Sequence, residues 1–414
     1  MTKTSPFESP RRVPRAASRH QPKIGLALAG GGLLGAVYEI GALAALQESV
    51  KGLDLNNADI FVGISAGGII AAALANGMSP HQMCRLFVES DPDDPTTSMF
   101  LPQALLTPAW TEFCRRGTAL PGLLASSVVH YLRNGTRPGL AGSFERLKEA
   151  LPTGILSGAG IEQAIALTFA AEGRSDDFRA LKRKLVIVAT DLDSGEPVRF
   201  GQPGFDHVPI SRAARASACV PGIFPPVEID GRHFVDGALR KTLHASIALD
   251  TGLDLLLCVN PIVPYNARAV HPPGKLASGG LTSVLSQTLR AIIHSRVEIG
   301  MGNYALAYPD TGIMLIEPSQ DDADMFFTNL FSYNSRRRIC ENAYQDTRIM
   351  LWRRRDEIGP LLARHGLELN LSVLRDTSLT LVKTRVRKPA KRSVTTDLDE
   401  TLDSLERYLK TGAA

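Results

Sequence analysis

The chain reads Val62-Gly63-Ile64-Ser65-Ala66-Gly67-Gly68 between a short apolar run, 60–64, and an alanine-rich run, 68–75. The two runs predict a buried strand followed by a buried helix. A serine with glycine two residues before it and two residues after it, at such a junction, is typical of a nucleophile elbow, because larger flanking side chains would clash in the tight turn. The pattern indicates a catalytic Ser65. It is also compatible with a helix start that uses Ser65 only as an N-cap.

A glycine-rich turn, 30–35, stands between an earlier apolar run and a helical pattern. Backbone N–H groups at a helix N-terminus lack intrahelical partners and lie at the positive end of the helix dipole, so such a turn can form an oxyanion hole. Gly30, Gly32 and Gly35 also match the dinucleotide motif G-x-G-x-x-G. That motif needs an acidic residue at the end of the second strand. This chain has the Ser65 turn there instead, so the oxyanion hole is favoured over a dinucleotide site.

Acyl transfer by a serine also needs a base that accepts the hydroxyl proton. Histidine is the usual base, and none of the candidates follows a convincing strand; they are His233, His244, His271, His294 and His365. Asp236 does follow one, because it ends a predicted hairpin and precedes Gly237, whose small size lets another loop approach closely. A carboxylate can accept the proton directly within hydrogen-bond distance, although Asp-Gly is also a frequent ordinary turn.

Three motifs in this order resemble those of the patatin-like phospholipase family. They are the glycine turn at 30–35, Gly63-Ile64-Ser65-Ala66-Gly67 and Asp236-Gly237-Ala238. A further segment resembles the family's sequence ahead of the aspartate; it consists of Ala216-Ser217-Ala218 with Pro221, Phe224 and Pro225. The resemblance covers about residues 23–320 and leaves both tails outside it.

The resemblance implies an α/β fold. It is a patatin-like three-layer sandwich with a mostly parallel central sheet, helices on both faces and a helical C-terminal extension. Strands that alternate with helices in the first part of the chain predict the same kind of sheet from the residues themselves.

The resemblance further implies a Ser–Asp dyad that acts without a metal or a cofactor. Ser65 matches the nucleophile and Asp236 the general base. The oxyanion hole would be formed by Gly30, Gly31, Gly32 and Ala66, and the motifs are completed by Gly35, Gly63, Gly67 and Gly237. Family members usually carry Arg or Lys where this chain has Leu34, a departure that bears on the fine structure of the hole and on headgroup preference.

We therefore expect a hydrolase that cleaves fatty acyl esters of phospholipids or lysophospholipids through an acyl-enzyme, with lipid and not nucleic acid as its partner. Two alternatives stay open. A general carboxylesterase or thioesterase would use a histidine base. A patatin-fold lipid-binding or scaffold protein would carry a catalytically impaired site, which Leu34 would then mark.

Composition divides the chain into four parts. Residues 1–22 predict a disordered basic arm, 23–320 the catalytic domain, 321–380 a helical extension, and 381–414 a basic run followed by an amphipathic helix. Within the catalytic domain, 96–142 is apolar, aromatic and interrupted by proline. It is a candidate cap over a hydrophobic cleft and equally an ordinary helical insertion. In the final helix four leucines recur at helical spacing, namely Leu398, Leu402, Leu405 and Leu409.

The net charge of the 414 residues is only +4, but positive charge is in excess at 1–23 and at 383–392. We expect these tails to contact anionic membrane peripherally. The five cysteines are odd in number and far apart, which argues against a disulfide framework and a zinc site and favours a reducing, cytoplasmic location. The sequence predicts neither a signal-peptide core nor a membrane span, and it does not indicate an oligomeric state.

Overall fold

The computed structural model describes residues 22–89, 102–114, 152–269, 271–327 and 333–382. The strands in this part of the chain are β1 (Ile24–Leu28), β2 (Val50–Lys51), β3 (Ile60–Ile64), β4 (Lys184–Asp191), β5 (Pro197–Phe200), β6 (Val227–Ile229), β7 (Arg232–Asp236), β8 (Leu255–Val259), β9 (Gly312–Ile316) and β10 (Glu368–Leu369). Eight of them form one sheet in the order β6-β7-β4-β3-β1-β8-β9, with β5 paired to β4. Strands β4, β3, β1, β8 and β9 run parallel, whereas β5, β6 and β7 pair antiparallel.

The described helices are α1 (Gly32–Ser49), α2 (Ala66–Ala75), α3 (Pro80–Met83), α4 (Pro102–Leu105), α5 (Ala159–Phe169), α6 (Ile210–Ser217), α7 (Ser246–Leu249), α8 (Lys275–Ser278), α9 (Gly280–Ala307), α10 (Asp324–Phe327), α11 (Tyr333–Arg353), α12 (Arg355–Ala363) and α13 (Leu371–Arg375). A π-helical turn, Cys84–Val88, directly follows α3. Ser79 caps α3 in a capping box with Gln82, which explains why that helix begins at a proline.

Helices cover both faces of the sheet. The central strands β3 and β8 are buried along their whole length, and their near-continuous apolar sequence is typical of parallel strands between two helical layers. On one face Val62 and Ile64 pack with residues of α7 and with Val297 of α9. Gly63 alternates with them and faces α2, since a Cβ at Gly63 would lie 2.8 Å from the Ala71 Cβ. The predicted three-layer sandwich with a mostly parallel sheet is thus confirmed.

Two strands share one edge of β4. Strand β3 pairs with it in parallel as far as Val188, and β7 pairs with it antiparallel from Ala189 onward. Strand β5 pairs with β4 over residues 187–190, which overlap both the stretch paired with β3 and the stretch paired with β7. Strand β5 therefore lies on the opposite edge of β4. The carboxyl ends of β3 and β7 therefore meet head to head on the same edge. This arrangement places Ser65, which follows β3, beside Asp236, which ends β7.

The described part of the C-terminal extension is helical, as expected. Helix α11 lies along α1, where Gly41 permits the close approach: a Cβ at that position would lie 2.2 Å from the Cys340 carbonyl oxygen. Tyr344 of α11 packs against Ala44 and Ala45 of α1. Strand β10 pairs antiparallel with β2, which directly follows α1. The extension is therefore joined to the first helix of the catalytic part by side-chain packing and by a strand pair.

Several sequence predictions lie outside the described residues. They concern the basic arm up to residue 21, most of the candidate cap at 96–142, and the leucine-striped tail. Within the cap region residues 102–114 are described, and there Leu105 of α4 packs against Ala164 of α5. No helix in the described part of the chain has the length and apolarity of a membrane span.

Candidate active site

Ser65 sits in a strained turn between β3 and α2. Its φ of 54° lies in the left-handed region, which a residue with a side chain rarely adopts, and the residue is 2% exposed. The flanking glycines are needed because the turn is crowded by backbone atoms. A Cβ at Gly67 would lie 2.4 Å from the Ala29 carbonyl oxygen, and one at Gly63 would lie 2.5 Å from the Gly67 carbonyl oxygen. The elbow geometry expected from the sequence is present.

Ser217, at the end of α6, ties this elbow to the sheet. The Ser65 N–H donates to the Ser217 Oγ at 2.7 Å, and the Ser217 hydroxyl donates to the Val188 carbonyl oxygen at 2.6 Å. Val188 is the last residue of β4 that pairs with β3. The completely buried Ser217 therefore joins the backbone of the elbow to the point where β4 changes partners. In the sequence, Ser217 stands out only as part of the segment that resembles the family's sequence ahead of the aspartate. The residues around a single serine do not indicate that its hydroxyl joins two distant backbone groups.

Asp236 lies at the end of β7, opposite Ala189 of β4. Its Oδ1 accepts a hydrogen bond from the Ala238 N–H at 2.8 Å, and its carboxyl interacts with the Ser65 hydroxyl. Its own N–H donates to the Cys219 carbonyl oxygen at 2.9 Å, so the residue is held from both sides. The structure thus brings together the two residues that the sequence analysis assigned to the dyad.

The charge state of Asp236 is set mainly by its burial. Burial raises the pKa of the Asp236 carboxyl to about 6, and the hydrogen bonds from Ala238 and Ser65 lower it only in part. At neutral pH the group is still ionised in most molecules, and it is a stronger base than an exposed aspartate. Raised basicity, together with a serine hydroxyl beside the carboxyl, is what direct proton acceptance requires.

The glycine turn passes close to the serine. A Cβ at Gly30 would lie 3.1 Å from the Ser65 Cβ and 3.7 Å from its Oγ, so a larger residue would crowd the hydroxyl. The Gly67 N–H donates to the Ala29 carbonyl oxygen at 3.1 Å, which joins the turn to the elbow. In the described part of the chain, no backbone carbonyl accepts a hydrogen bond from the N–H groups of Gly31, Gly32 or Ala66. These groups begin α1 and α2, where N–H groups are free to bind an anion.

The region beside the turn is apolar. Leu33 packs against Leu105 and Ala164, together with Leu86, Phe87, Leu106 and Ile161. Leu34 is buried in the first turn of α1, so the position where the family usually has a cation holds a packed apolar side chain. The site therefore combines polar groups at Ser65 with an apolar wall on the side of Leu33.

The candidate histidines lie elsewhere or are bonded differently. His244 is buried, but its ring interacts with the backbone of Gly237, and its Nε2 has no hydrogen-bond partner among the described residues. Burial, together with the cations of Lys241 and neighbouring arginines, lowers the pKa of His244 to about 4. His294 lies near Glu298 and Glu317 instead. Among the described residues, no three or more His, Cys, Asp or Glu side chains form a group that could hold a metal ion.

Two known proteins are similar in sequence to parts of this chain. An uncharacterized protein of Acanthamoeba polyphaga mimivirus is 26% identical over 243 residues, 58% of this chain and 66% of that protein. An uncharacterized NTE family protein of Mycobacterium tuberculosis is 38% identical over 73 residues, 18% of this chain and 19% of that protein. The chain thus spans just under two thirds of the first relative and about a fifth of the second.

Two solved structures align with most of the chain at low identity. VipD from Legionella pneumophila has 17% identity and a TM-score of 0.37, with 81% of this chain and 67% of that chain covered. The type III effector protein ExoU has 18% identity and a TM-score of 0.32, with 84% of this chain and 54% of that chain covered.

A family model described as patatin-like phospholipase matches residues 26–249, more than half of the 414 residues. The matched range contains the glycine turn, the Ser65 elbow and Asp236, which are the three motifs that carried the resemblance in the sequence. The chain therefore belongs to the patatin-like phospholipase family.

Proposed function

We propose that the protein is a serine acyl hydrolase that cleaves fatty acyl esters of phospholipids or lysophospholipids, with Ser65 as nucleophile and Asp236 as general base. The observation that carries the proposal is the position of Ser65 beside a buried Asp236 carboxyl of raised pKa, where the ends of β3 and β7 meet on β4. Family membership supports lipid hydrolysis as the class of reaction. The strained elbow supports Ser65 as the attacking group, because strain of this kind is common at catalytic residues.

In the first half of the reaction, the Ser65 Oγ attacks the ester carbonyl carbon while Asp236 accepts the hydroxyl proton. The carbonyl oxygen becomes an oxyanion, which the N–H groups of Gly30, Gly31, Gly32 and Ala66 would stabilise. When the tetrahedral intermediate collapses, the bond to the alcohol breaks, and Asp236 returns its proton to the leaving alkoxide. The products of this half are an acyl-enzyme on Ser65 and the free alcohol.

In the second half, water replaces the alcohol. Asp236 accepts a proton from the water as its oxygen attacks the acyl carbonyl, and a second oxyanion forms in the same place. Collapse breaks the bond to the Ser65 Oγ, which regains its proton from Asp236. The fatty acid leaves and the dyad is restored. A base that gives and takes protons in both halves works best with a pKa near the working pH, and a pKa of about 6 supports this role for Asp236.

The apolar wall supports a fatty acyl substrate. Leu33 directly follows Gly32, so an acyl chain that extends from the carbonyl in the oxyanion hole can lie against Leu33 and against Phe87 and Ile161 of the same apolar cluster. Burial of each methylene against such a wall contributes about 0.8 kcal/mol, which favours long acyl chains over short ones.

The test is fatty-acid release from phospholipid and lysophospholipid vesicles. We expect Ser65→Ala and Asp236→Asn each to lower the rate at least about 10³-fold, because each removes a group that acts in the transition state. Ser211→Ala and Asp191→Asn are matched controls, since both residues are buried but bond to other partners. These controls should keep most of the activity, and circular dichroism should show all four variants folded.

The same experiment separates the alternatives. Full activity in Asp236→Asn together with loss in His244→Asn would favour a histidine-dependent esterase or thioesterase. Vesicle binding by the wild type without any ester hydrolysis would favour a lipid-binding protein with an impaired site. Either result would contradict the proposed dyad.

A further inference from the structure

The outward side of helix α9 is apolar. Leu285, Ile292, Ile299 and Leu306 recur every seven residues and are exposed, Ile299 by 64% and Leu306 by 82%. Leu281 and Leu289 are exposed as well. These six side chains are called the outer strip below. The inward side of the same helix, with Val297, packs in the core.

The outer strip departs from the usual pattern of a surface helix. Such helices carry charged and polar residues on the side away from the core. The 28 residues of α9 contain three charged side chains, Arg290, Arg296 and Glu298. A helix of this length extends about 40 Å, so the strip is long as well as apolar. An exposed apolar patch of this extent marks an interaction surface.

The strip adjoins the loop that carries Asp236. The Arg296 Nη1 donates to the Leu239 carbonyl oxygen at 2.8 Å. Arg296 lies four residues after Ile292 and three before Ile299, and residues at these spacings are neighbours on a helix surface. Leu239, which closes the short turn Gly237–Leu239, is itself 41% exposed. Arg296 therefore joins the strip to the loop of Asp236, where the exposed Leu239 lies three residues after Asp236.

The charges around this surface are mostly positive. Arg240 and Lys241 are exposed and directly follow Leu239, and Arg296 is exposed on α9. Glu298 is the one acidic residue of the helix, and Glu196 pairs with Arg240. An apolar strip with cations along its border is the composition of elements that lie in the interface of an anionic bilayer. The cations thus complement lipid headgroups, and they would repel the same cations of a second copy placed against this side.

We propose that the outer strip, with Leu239, Arg240 and Lys241, docks on the surface of a phospholipid bilayer that contains anionic lipids. The inference rests on the proposed function, because a lipid surface is where acyl esters are found. The docked strip holds the loop of Asp236 against the bilayer, so that an ester group reaches the buried Ser65 from the lipid surface.

The test measures binding without catalysis. The full chain carrying Ser65→Ala is sedimented with vesicles of phosphatidylcholine mixed with phosphatidylglycerol, with and without the added substitutions Leu285→Gln, Ile292→Gln and Ile299→Gln. We expect the three strip substitutions to weaken vesicle binding at least about tenfold, because each removes apolar surface from the interface. A matched set, Leu167→Gln, Ile349→Gln and Leu371→Gln, replaces exposed apolar residues on α5, α11 and α13 and should bind as before.

Equal binding of the strip set and the matched set would overturn the proposal. So would a wild-type dimer that becomes a monomer in the strip set while vesicle binding is unchanged, since that result assigns the strip to a second copy. If the triple variant fails to fold, Ile299→Gln and Leu306→Gln are tested singly, because these side chains are largely exposed and contribute little to the core. Since the protein in this assay is inert, absence of hydrolysis by the wild type would count against the proposed function and not against the docking surface.

Discussion

The two strand ends that meet on β4 are built in different ways. At the end of β3, Ser65 is strained, with a φ of 54°, and is enclosed by two glycines that the turn requires. At the end of β7, Asp236 has unstrained backbone, with φ −51° and ψ 133°, and a single glycine follows it. The proposed nucleophile must be held at the tip of a tight turn after its strand, whereas its base needs only to lie beside that turn. Local strain specifies the first position and sheet topology specifies the second.

The largest expected effects come from filling the space at either strand end. A Cβ at Gly67 would lie 2.4 Å from the Ala29 carbonyl oxygen, and one at Gly237 would lie 2.2 Å from the Val188 carbonyl oxygen. Neither backbone can move aside, so Gly67→Ala and Gly237→Ala should each lower the free energy of unfolding by about 3 kcal/mol or more in urea titrations. Gly359→Ala in α12 is the control: its Cβ meets nothing within 4 Å, and the change should be neutral or slightly stabilising. Tolerance of Gly237→Ala would mean that β3 and β7 do not meet as described.

The next effect concerns charge, because Asp236 at the end of β7 titrates whereas Ser65 at the end of β3 does not. The pKa of the Asp236 carboxyl is about 6 in the folded chain against 3.8 as its ordinary value, so this group favours folding most at low pH. Its contribution is fully present below pH about 4 and is lost as the pH rises through about 6, a change of up to about 3 kcal/mol.

Asp236→Asn should therefore raise the melting temperature at pH 8 and leave it nearly unchanged at pH 4. Ser65→Ala, which removes no titrating group, should follow the pH dependence of the wild type. Thermal melts across this pH range check both variants. A destabilised Asp236→Asn at pH 8 would show that the charged carboxylate stabilises the fold rather than straining it.

A smaller effect concerns the turn above the serine. A Cβ at Gly30 would lie 3.1 Å from the Ser65 Cβ, a contact that a shift of a few tenths of an ångström can relieve. We expect Gly30→Ala to keep nearly full stability but to lower kcat about thirtyfold, or about 2 kcal/mol, because the displaced turn stabilises the oxyanion less well. Steady-state hydrolysis of a soluble ester measures the change, with Gly359→Ala again as the control. Unchanged kcat would remove the turn from the proposed oxyanion hole.

The smallest expected effect tests the bridge between the elbow and the sheet. Ser217→Ala leaves the Ser65 N–H and the Val188 carbonyl without their shared partner, which should cost about 1 kcal/mol of stability and lower kcat several-fold. Ser211 is buried on the same helix and bonds to Asp176 instead. Ser211→Ala should lose a similar amount of stability without a change in kcat. Equal kcat values for the two variants would show that the bridge does not position Ser65.

The sequence predicts the features that depend on neighbouring residues better than those that depend on contacts between distant segments. The elbow and the glycine turn were predicted because the backbone demands glycine within a few residues of the strained position, and that demand is visible in the sequence. The parallel core was predicted from short apolar strands alternating with helices. Asp236 could be distinguished from an ordinary Asp-Gly turn only with the support of the family resemblance, since its place beside Ser65 depends on β3 and β7 sharing an edge of β4.

The features that the sequence did not predict depend on contacts between distant segments. Ser217 acts through residues about 30 and 150 positions away, and no periodicity records such a bridge. The helical pattern of α9 is visible in the sequence, but which of its apolar residues face solvent is decided by how the helix packs on the sheet.

The most direct measurement of the proposed dyad is the rate at which a fluorophosphonate labels Ser65 as a function of pH. Labelling, like the first step of hydrolysis, requires the Ser65 hydroxyl to lose its proton, but it depends on no lipid and no product release. With Asp236 as the base, the wild-type rate should fall as the pH drops below about 6, and Asp236→Asn should label slowly at every pH, without that dependence. Labelling of Asp236→Asn at the wild-type rate, with the same pH dependence, would contradict the proposal that Asp236 activates Ser65.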